Sequence, residues 1–225
     1  MQLQLLQEIP VLSADECDRV RLSVHELKPL WDEERYRFGA GISYYKPQAL
    51  YYATAKQMNP ILKRHFGWLY EKLLTAFSAQ FKRPVVFRDD LALPGFNIYC
   101  GPSDFSKIAY NVHVDLQYLD LNWDPPGSAD FDSTMSFTLP ITAPRQGTGL
   151  NIWEVTQLSD EQFAKSDALS DEKAYYHSYK PGTATIHDGK HYHQMQITSD
   201  WESSDERITL QGHGLVQNGA LVIYG

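Results

Sequence analysis

Several features that define other classes of protein are scarce in this sequence of 225 residues. Its two cysteines, Cys17 and Cys100, are too few for the disulfide framework of a small secreted domain. Its apolar runs are too short to cross a bilayer, and its N-terminus has neither a basic leader nor a small-residue cleavage site. We therefore expect a cytoplasmic protein with no membrane partner.

Positive charge is also scarce, because 20 Lys and Arg stand against 28 Asp and Glu, for a formal net charge of −8. No cluster of basic residues stands out, so a polyanion would be repelled on average, and we expect no nucleic-acid partner. Repeats and low-complexity tracts are absent, and the length fits a single domain over residues 1–225. The 14 tyrosines and 5 tryptophans are more informative, since such rings often line small-molecule pockets.

Two helices are predicted in the N-terminal part of the chain. Ser13 and Glu16 form a capping box, and the helix that follows carries one apolar stripe as far as Pro29. A second helix is predicted to start at Asn59-Pro60, with Asn as the N-cap and Pro in the first turn. Apolar residues then recur at helical spacing up to Pro84.

Beyond residue 84 the pattern changes to short β-rich segments separated by Pro, Gly, Asn and Asp. Many short strands without intervening helices are typical of a sandwich, barrel or jelly roll, so the predicted class is α+β and mainly β. Residues 120–133 and 159–173 are predicted to be exposed loops, although the second stretch could form a short helix. The predicted strands are residues 85–88, 95–100, 108–118, 134–142, 149–156, 175–180, 183–187, 191–198, 207–216 and 220–224.

Two of these predicted strands have a polar face, because successive side chains of a strand point to opposite sides. One such strand by itself is typical of a sheet that faces water. Two together favour a polar cavity inside a roll, with the apolar outer faces covered by the two helices. The polar positions are Asn111, His113, Asp115 and Gln117 in the first strand and Arg207, Thr209, Gln211 and His213 in the second.

His113-Val-Asp115 places an imidazole and a carboxylate side by side. Together with one distant histidine they would form a set of two histidines and one carboxylate. That set suits Fe(II) and leaves coordination positions open for a co-substrate and oxygen. The tripeptide alone is common, so the later part of the chain has to supply the remaining motif.

In its order of motifs the sequence resembles the Fe(II)/2-oxoglutarate-dependent dioxygenases, a family built on a double-stranded β-helix (jelly-roll) core. The family has His-x-Asp, a long interval, a second His, and then Arg in an Arg-x-Ser/Thr context. The matching residues here are His113-Val-Asp115, His193 and Arg207-Ile-Thr209. The interval between His193 and Arg207 is longer than is usual, and residues 201–206 look like an inserted turn.

The resemblance implies a cofactor, two co-substrates and a set of site residues. Fe(II) would be bound by the catalytic residues His113, Asp115 and His193, and the co-substrates would be 2-oxoglutarate and O2. Arg207 offers a planar fork that fits a carboxylate, where the alternative is a surface ion pair. Thr209 would add a hydroxyl to that carboxylate site. Tyr99, Asn97 and His213 are further candidates for contact with the co-substrate.

The second histidine ligand is open at this stage, because His187, His191 and His193 lie close together. The distance from Gly182 and the absence of another histidine before the arginine favour His193. His191 would then line the pocket. The remaining histidines, His25, His65 and His177, are expected to be surface residues.

The resemblance also implies that 2-oxoglutarate is converted to succinate and CO2 while the substrate is hydroxylated. Asp115 argues against halogenation, because the family's halogenases lack this carboxylate; desaturation or ring formation stays open. The aromatic content and negative charge favour a small metabolite, such as an amino acid or a natural-product intermediate, over a protein side chain. Candidate substrate contacts are Tyr110, Gln117, Tyr118, Trp123, Trp153 and His191.

Two other classes of protein also fit the polar faces. One is a cupin-like jelly roll that binds metal without 2-oxoglutarate chemistry, and the other is a ligand-binding module without catalysis. His191-Tyr-His193 is similar to the cupin His-x-His pair, but Gln196 stands where a cupin would have Glu. The order His-x-Asp, His, Arg-x-Thr separates the oxygenase hypothesis from both.

Overall fold

A computed structural model describes residues 6–105, 111–156, 169, 173–197 and 200–225. Within these residues the helices are α1 (Ala14–Glu26), α2 (Gln48–Phe81) and α3 (Gly101–Phe105), with short 3-10 helices at Lys28–Leu30 and Gln117–Asp120. The strands are β1 (Gln7–Pro10), β2 (Arg37–Phe38), β3 (Val85–Phe87), β4 (Gly95–Cys100), β5 (Ala129–Pro140), β6 (Thr148–Ile152), β7 (Tyr175–Ser178), β8 (Thr183–His187), β9 (His193–Ile197), β10 (Glu206–Gln217) and β11 (Ala220–Tyr224).

The capping box predicted for α1 is confirmed. The Ser13 hydroxyl accepts from the Glu16 backbone N–H, and the Glu16 carboxylate accepts from the Ser13 N–H at 2.9 Å. Both contacts satisfy amides that a helix N-terminus leaves without an intrahelical partner. The buried stripe of the helix consists of Cys17, Val20 and Val24.

The predicted start of α2 is wrong, because the helix already begins at Gln48. Asn59 lies inside it, is buried, and donates its amide to Leu91 O at 2.8 Å while accepting from Leu93 N at 2.9 Å. A buried Asn that is satisfied by a distant loop no longer needs to cap its own helix. The helical backbone breaks at Phe66 instead of at Pro60.

Two sheets form the β part of the molecule. The larger has the order β1-β8-β5-β10-β11-β3, and β4 pairs with β10 and with β2; the smaller has the order β7-β6-β9. All pairs are antiparallel apart from β11 with β3. The predicted jelly roll behind N-terminal helices is therefore confirmed, and β10 is the strand that links its parts.

The helices cover the apolar face of the large sheet, as expected. Ile208 and Leu210 of β10 are fully buried in one cluster with Val20 of α1 and with Leu69 and Phe77 of α2. Burying each such side chain contributes about 1.5–3 kcal/mol. The alternating polar residues of β10 are thereby turned to the opposite side, where the cavity lies.

Two predictions about the middle of the chain are wrong. Of the predicted strand 108–118, residues 108–110 lie outside the described residues, and residues 111–118 form no strand. Their pairing is a single bridge between His113 and His193, and Leu116 on the supposed core side is exposed. The predicted loop at 120–133 ends early, since β5 begins at Ala129, and Trp123 within it is buried. The predicted loop at 159–173 lies almost wholly outside the described residues.

A membrane span is a separate question from the fold. None of the helices in the described part of the chain combines the length and the apolar character that crossing a bilayer requires.

Candidate metal centre and its cavity

His113, Asp115 and His193 come together as a possible metal site, with one ligand atom from each residue lying within 4.8 Å of the others. His193 Nε2 is 3.4 Å from Asp115 Oδ2, and His113 Nε2 is 3.8 Å from Asp115 Oδ1. Asp115 and His193 are buried, whereas the His113 side chain is about half exposed. The site is therefore open on the His113 side.

Backbone hydrogen bonds hold the His113 segment in place although it is not a strand. His113 and His193 exchange N–H···O bonds of 3.0 and 2.9 Å, and the Asp115 N–H donates to Gly189 O at 2.7 Å. Gly189 has φ +76°, and a Cβ there would lie 2.9 Å from Ser136 Oγ and 3.2 Å from the Asp115 Cβ. Glycine at this turn lets the β8–β9 connection approach the carboxylate closely.

The two histidine ligands are oriented in the same way. His113 Nδ1 lies 2.8 Å from Asn111 O, and His193 Nδ1 lies 2.9 Å from His191 O. A carbonyl oxygen only accepts, so each Nδ1 carries the proton and donates. In the neutral form of each ring, Nε2 is then left with a lone pair for a metal ion, which is the tautomer that ligation needs.

Asp115 is held by two side-chain donors. The Ser136 hydroxyl donates to Oδ2 at 2.5 Å, and the Gln117 amide donates to Oδ1 at 3.0 Å. Ser136 Oγ in turn lies 3.0 Å from His213 Nδ1. Burial by itself would raise the pKa of Asp115, but His193, by charge and hydrogen bond, and then His213 bring it well below its usual range. The carboxylate is thus anionic and fixed in direction.

Burial keeps most of the surrounding imidazoles neutral. It lowers the pKa of His187 to about 3 and also lowers the pKa values of His113 and His213. For His193, burial acts in the same direction, but the charge and hydrogen bond of Asp115 outweigh it and raise the pKa. A divalent metal binds neutral imidazole, so it would have to displace the proton that Asp115 favours on His193, whereas burial already favours the neutral form of His113.

A cavity of about 520 Å³ opens over this cluster. It is lined from both sheets and from the segment before α2. Eleven residues singled out in the sequence line it: Asn97, Tyr99, Asn111, His113, Asp115, Gln117, His187, His193, Arg207, Gln211 and His213.

The strand register explains why these residues share one cavity. Arg207 and Thr209 lie opposite Tyr99 and Asn97 of β4, while His213 lies opposite Ser136 of β5. Polar side chains that alternate along β10 therefore run from the Tyr99 end of the cavity to the metal end.

Arg207 is completely buried, which excludes the surface ion pair considered from the sequence. Its guanidinium carbon lies 5.8 Å from the centre of the Tyr99 ring, and burial raises the pKa of Tyr99 to about 12. Thr209, the neighbouring predicted site residue on β10, is not among the residues that line the cavity; it is completely buried, and its hydroxyl has no hydrogen-bond partner among the described residues. The Arg207 end of the cavity is thus suited to an anion with hydrogen-bonding oxygens.

The cavity does not contain four of the predicted substrate contacts. Tyr118 and Trp123 are buried in a separate apolar cluster, and the Trp123 indole donates to Tyr118 O at 2.7 Å. Trp153 is buried outside the cavity. His191 lies 2.8 Å from Asp188 and lines a second cavity of about 310 Å³. The fifth, Tyr110, lies outside the described residues.

Tyr118 was expected to reach the cavity from a strand. Residues 117–120 instead form a 3-10 helix, which directs the Tyr118 ring towards the apolar cluster. His191 is turned away by the hydrogen bonds that Asp188 makes to its backbone and ring. The other histidines assigned to the surface lie outside the cavity: His65 is exposed, and His25 and His177 face Glu206 and Glu8.

Sequence reasoning missed several residues that line the cavity. They come from the segment before α2 and from strands whose polar positions were not considered. Two glycines among three aromatic residues over residues 36–44 were a usable signal, because glycine among large side chains often marks a close approach of backbone to another group. The missed residues include Tyr36, Arg37, Tyr44, Ser136, Tyr179 and Met195.

Comparisons with known proteins support the fold. No family model and no curated protein matches the sequence. Among solved structures, an N-substituted L-amino acid dioxygenase from Burkholderia ambifaria AMMD is similar with a TM-score of 0.61 at 16% identity, over 98% of this chain and 86% of that one. Its complex with alpha-KG gives a TM-score of 0.60 at 17% identity, with the same coverage. AviO1 from Streptomyces viridochromogenes Tue57 gives 0.52 at 13% identity, over 92% and 88%.

Proposed function

We propose that this protein is an oxygenase that depends on Fe(II) and 2-oxoglutarate. The observation that carries the proposal is the placement of His113, Asp115 and His193 in one cavity with the buried Arg207. The two structural neighbours with the highest TM-scores quoted above are dioxygenase structures, one of them with alpha-KG bound. A cupin-like metal site would account for the three ligands but not for a fully buried arginine in the same cavity.

The donor set fits Fe(II). Two imidazole nitrogens and one carboxylate oxygen form a single face, and the exposed side of His113 leaves room for other ligands. When bound, the iron would supply the activation of oxygen. The protein's part is to keep the Nε2 lone pairs aimed inward through Asn111 O and His191 O, and to keep Asp115 ionised.

Arg207 in the cavity wall and the adjacent buried Thr209 would bind and orient 2-oxoglutarate. Arg207 offers parallel N–H donors to its distal carboxylate, and Thr209 offers a buried hydroxyl. Tyr99 covers the guanidinium. Because the surrounding strands exclude water, these contacts are stronger than they would be at the surface.

The proposed reaction is hydroxylation of a small metabolite, an amino acid or a natural-product intermediate, with release of succinate and CO2. The cavity volume falls in the usual range for small-molecule sites. A neighbour that is an N-substituted L-amino acid dioxygenase supports the same substrate class. Product analysis separates hydroxylation from desaturation and ring formation. The proposal treats residues 1–225 as one domain that works in the cytoplasm.

The test adds Fe(II) and 2-oxoglutarate to the metal-free protein without oxygen and records the visible spectrum. Chelation of 2-oxoglutarate to the bound iron gives a weak charge-transfer band in the wild type, and Asp115→Ala abolishes it. Asp132→Asn is the matched control, because it also removes one carboxylate charge but lies fully exposed on β5, paired with Lys190. A folded wild type that binds Fe(II) without giving the band would instead be a jelly-roll metal protein without 2-oxoglutarate chemistry.

A further inference from the structure

Arg37 is a buried cation that faces the cavity and that the proposed reaction has not used. Its residue exposure is 3%, and it lines the cavity from β2. Among the described residues it forms no ion pair, although the more exposed Arg35, Arg88 and Arg145 are each paired with a carboxylate. A buried charge without a counter-charge costs stability, so a position that keeps one points to a ligand.

The surroundings of Arg37 fix its guanidinium in place. Nη1 donates to Asn97 Oδ1 at 2.7 Å and Nη2 donates to Ala40 O at 2.9 Å, while the ring of Tyr44 lies 4.9 Å away. The Nε–H is buried and has no acceptor among the described residues. All these partners are neutral, so none of them supplies the missing negative charge.

Two glycines lack the side chains that would otherwise fill the space that the Arg37 guanidinium occupies. A Cβ on Gly41 would lie 2.7 Å from Arg37 Cζ, and a Cβ on Gly95 would lie 2.9 Å from Nη2. Gly41 does not have a left-handed backbone, so a side chain is excluded there by lack of space and not by backbone conformation. Asn97 is held from the other side, because its amide donates to Gln211 Oε1. Arg37 is therefore held in a fixed position in the wall of the cavity.

Arg37 and Arg207 enter the cavity from well-separated backbone positions in the large sheet. Arg37 lies opposite Asn97, and Asn97 lies opposite Thr209, so two strand spacings separate β2 from β10. With the two-residue offset to Arg207, the Cα atoms of the arginines are roughly 12 Å apart. A single short diacid held at Arg207 and at the metal does not account for the second guanidinium.

We propose that Arg37 binds a carboxylate of the primary substrate, so that the substrate class is small monocarboxylic acids. The proposal rests on the proposed function, which assigns Arg207 to 2-oxoglutarate. The planar guanidinium matches the two oxygens of a carboxylate, and a single positive charge suits a monoanion in a protein with a net charge of −8. Asn97 then becomes a positioning residue for Arg37 instead of a direct contact to 2-oxoglutarate.

The test compares small monocarboxylic acids, among them N-acetyl-L-amino acids, with their primary amides. Binding is measured by calorimetry to protein loaded with Mn(II) and 2-oxoglutarate. We expect at least one acid to bind the wild type about 10-fold or more tightly than its amide, and Arg37→Gln to remove that preference. Arg37→Lys, which keeps the charge but not the fork, retains part of it.

Arg145→Gln is the matched control, since it removes the same charge from an exposed side chain that is paired with Glu202 and does not line the cavity. It should leave the preference for acids intact. The affinity for 2-oxoglutarate separates the two possible carboxylate sources: Arg37→Gln leaves it within about 3-fold, whereas Arg207→Gln reduces it strongly. A loss of 2-oxoglutarate binding in Arg37→Gln like that in Arg207→Gln would overturn the proposal.

A wild type that binds every acid no better than its amide would also overturn it, and this result needs no folded variant. Repeating the comparison on metal-free protein separates the two hypotheses. A preference for acids that persists there, together with no charge-transfer band, supports the carboxylate site and removes the oxygenase. A normal band without any preference removes the Arg37 site and keeps the oxygenase.

Discussion

The metal end of the cavity and its sheet wall differ in how their buried polar groups are satisfied. At the metal end, Ser136 and Gln117 both donate to Asp115, so the ligand is fully supported. On the wall, Arg37 Nε and Thr209 Oγ1 are buried without a partner among the described residues. A metal ion needs only lone pairs held in the right geometry, whereas an organic ligand brings hydrogen-bonding groups of its own. Under the proposed function, the supported end would hold the metal ion and the wall would hold the organic ligands.

The largest effect is expected for Arg207→Gln, which removes the arginine that is proposed to bind 2-oxoglutarate. Loss of two charge-assisted hydrogen bonds should weaken 2-oxoglutarate binding by at least about 100-fold, or about 3 kcal/mol. Mn(II) affinity should stay within a few-fold, because Arg207 is not among the metal ligands. Calorimetry with each ligand in turn measures both. Equal losses for metal and 2-oxoglutarate would show that the two ends are not independent.

Ser136→Ala tests the support of Asp115. Its hydroxyl links Asp115 Oδ2 to His213, and loss of such an outer partner typically costs about 10- to 100-fold in metal affinity. Ser133→Ala is the control on the same strand, because the Ser133 hydroxyl donates to Asp130 O away from the metal. Mn(II) titration of both variants decides the matter. An unchanged affinity in Ser136→Ala would show that Asp115 needs no such support.

The lowered pKa of His187 should make the stability of the folded protein depend on pH. Its pKa falls from 6.5 in the unfolded chain to about 3 in the folded one, because burial disfavours its charged form. The unfolded state therefore binds more protons below pH 6.5, and stability is lost as the pH falls from 6.5 towards 3. At pH 5 the loss is about 2 kcal/mol.

Urea unfolding of metal-free protein at pH 7 and pH 5 measures this loss. The variant His187→Gln, which cannot titrate, should lose about 2 kcal/mol less than the wild type between the two pH values. An identical loss in the two proteins would show that His187 is already protonated in the folded state.

Thr209→Val is expected to give the smallest effect. Its sign should differ between the stability of the ligand-free protein and the affinity for 2-oxoglutarate. The valine keeps the shape but removes a buried hydroxyl that has no partner, so the ligand-free protein should be equally stable or about 1 kcal/mol more stable. Binding of 2-oxoglutarate should weaken by about 5- to 10-fold. Thermal unfolding and calorimetry measure the two quantities. A clear loss of stability without ligand would mean that the hydroxyl is satisfied within the protein.

Sequence reasoning was right about β10 and wrong about residues 111–118 for one physical reason. In both segments alternate polar residues point to the same side, since any extended backbone has that property. A strand also needs a partner along its length, and only β10 has strands on both sides. The ligands of the first segment therefore reach the cavity through one bridge to His193 and one bond to Gly189.

The aromatic residues illustrate a second kind of wrong prediction, one made from residue type instead of periodicity. Trp123 and Trp153 were expected in the pocket because of their type, but a large ring is buried with equal ease in an apolar cluster. Arg37 was overlooked because residue type does not distinguish it from Arg35, and the nearby glycines indicate a close approach without showing which side chain is approached. Burial, and the absence of a counter-charge among the described residues, distinguish it only in the folded chain.

The amino-acid sequence alone determined the chemistry that is available: two imidazoles, one carboxylate and an arginine in a recognisable order, with helices before strands. These follow from residue type and local periodicity, which need no knowledge of distant neighbours. The tertiary structure decided which histidine meets Asp115, which rings line the cavity, and which arginine is buried without an acidic partner among the described residues. Those choices depend on strand register and on contacts between residues far apart in the chain, and periodicity carries no information about either.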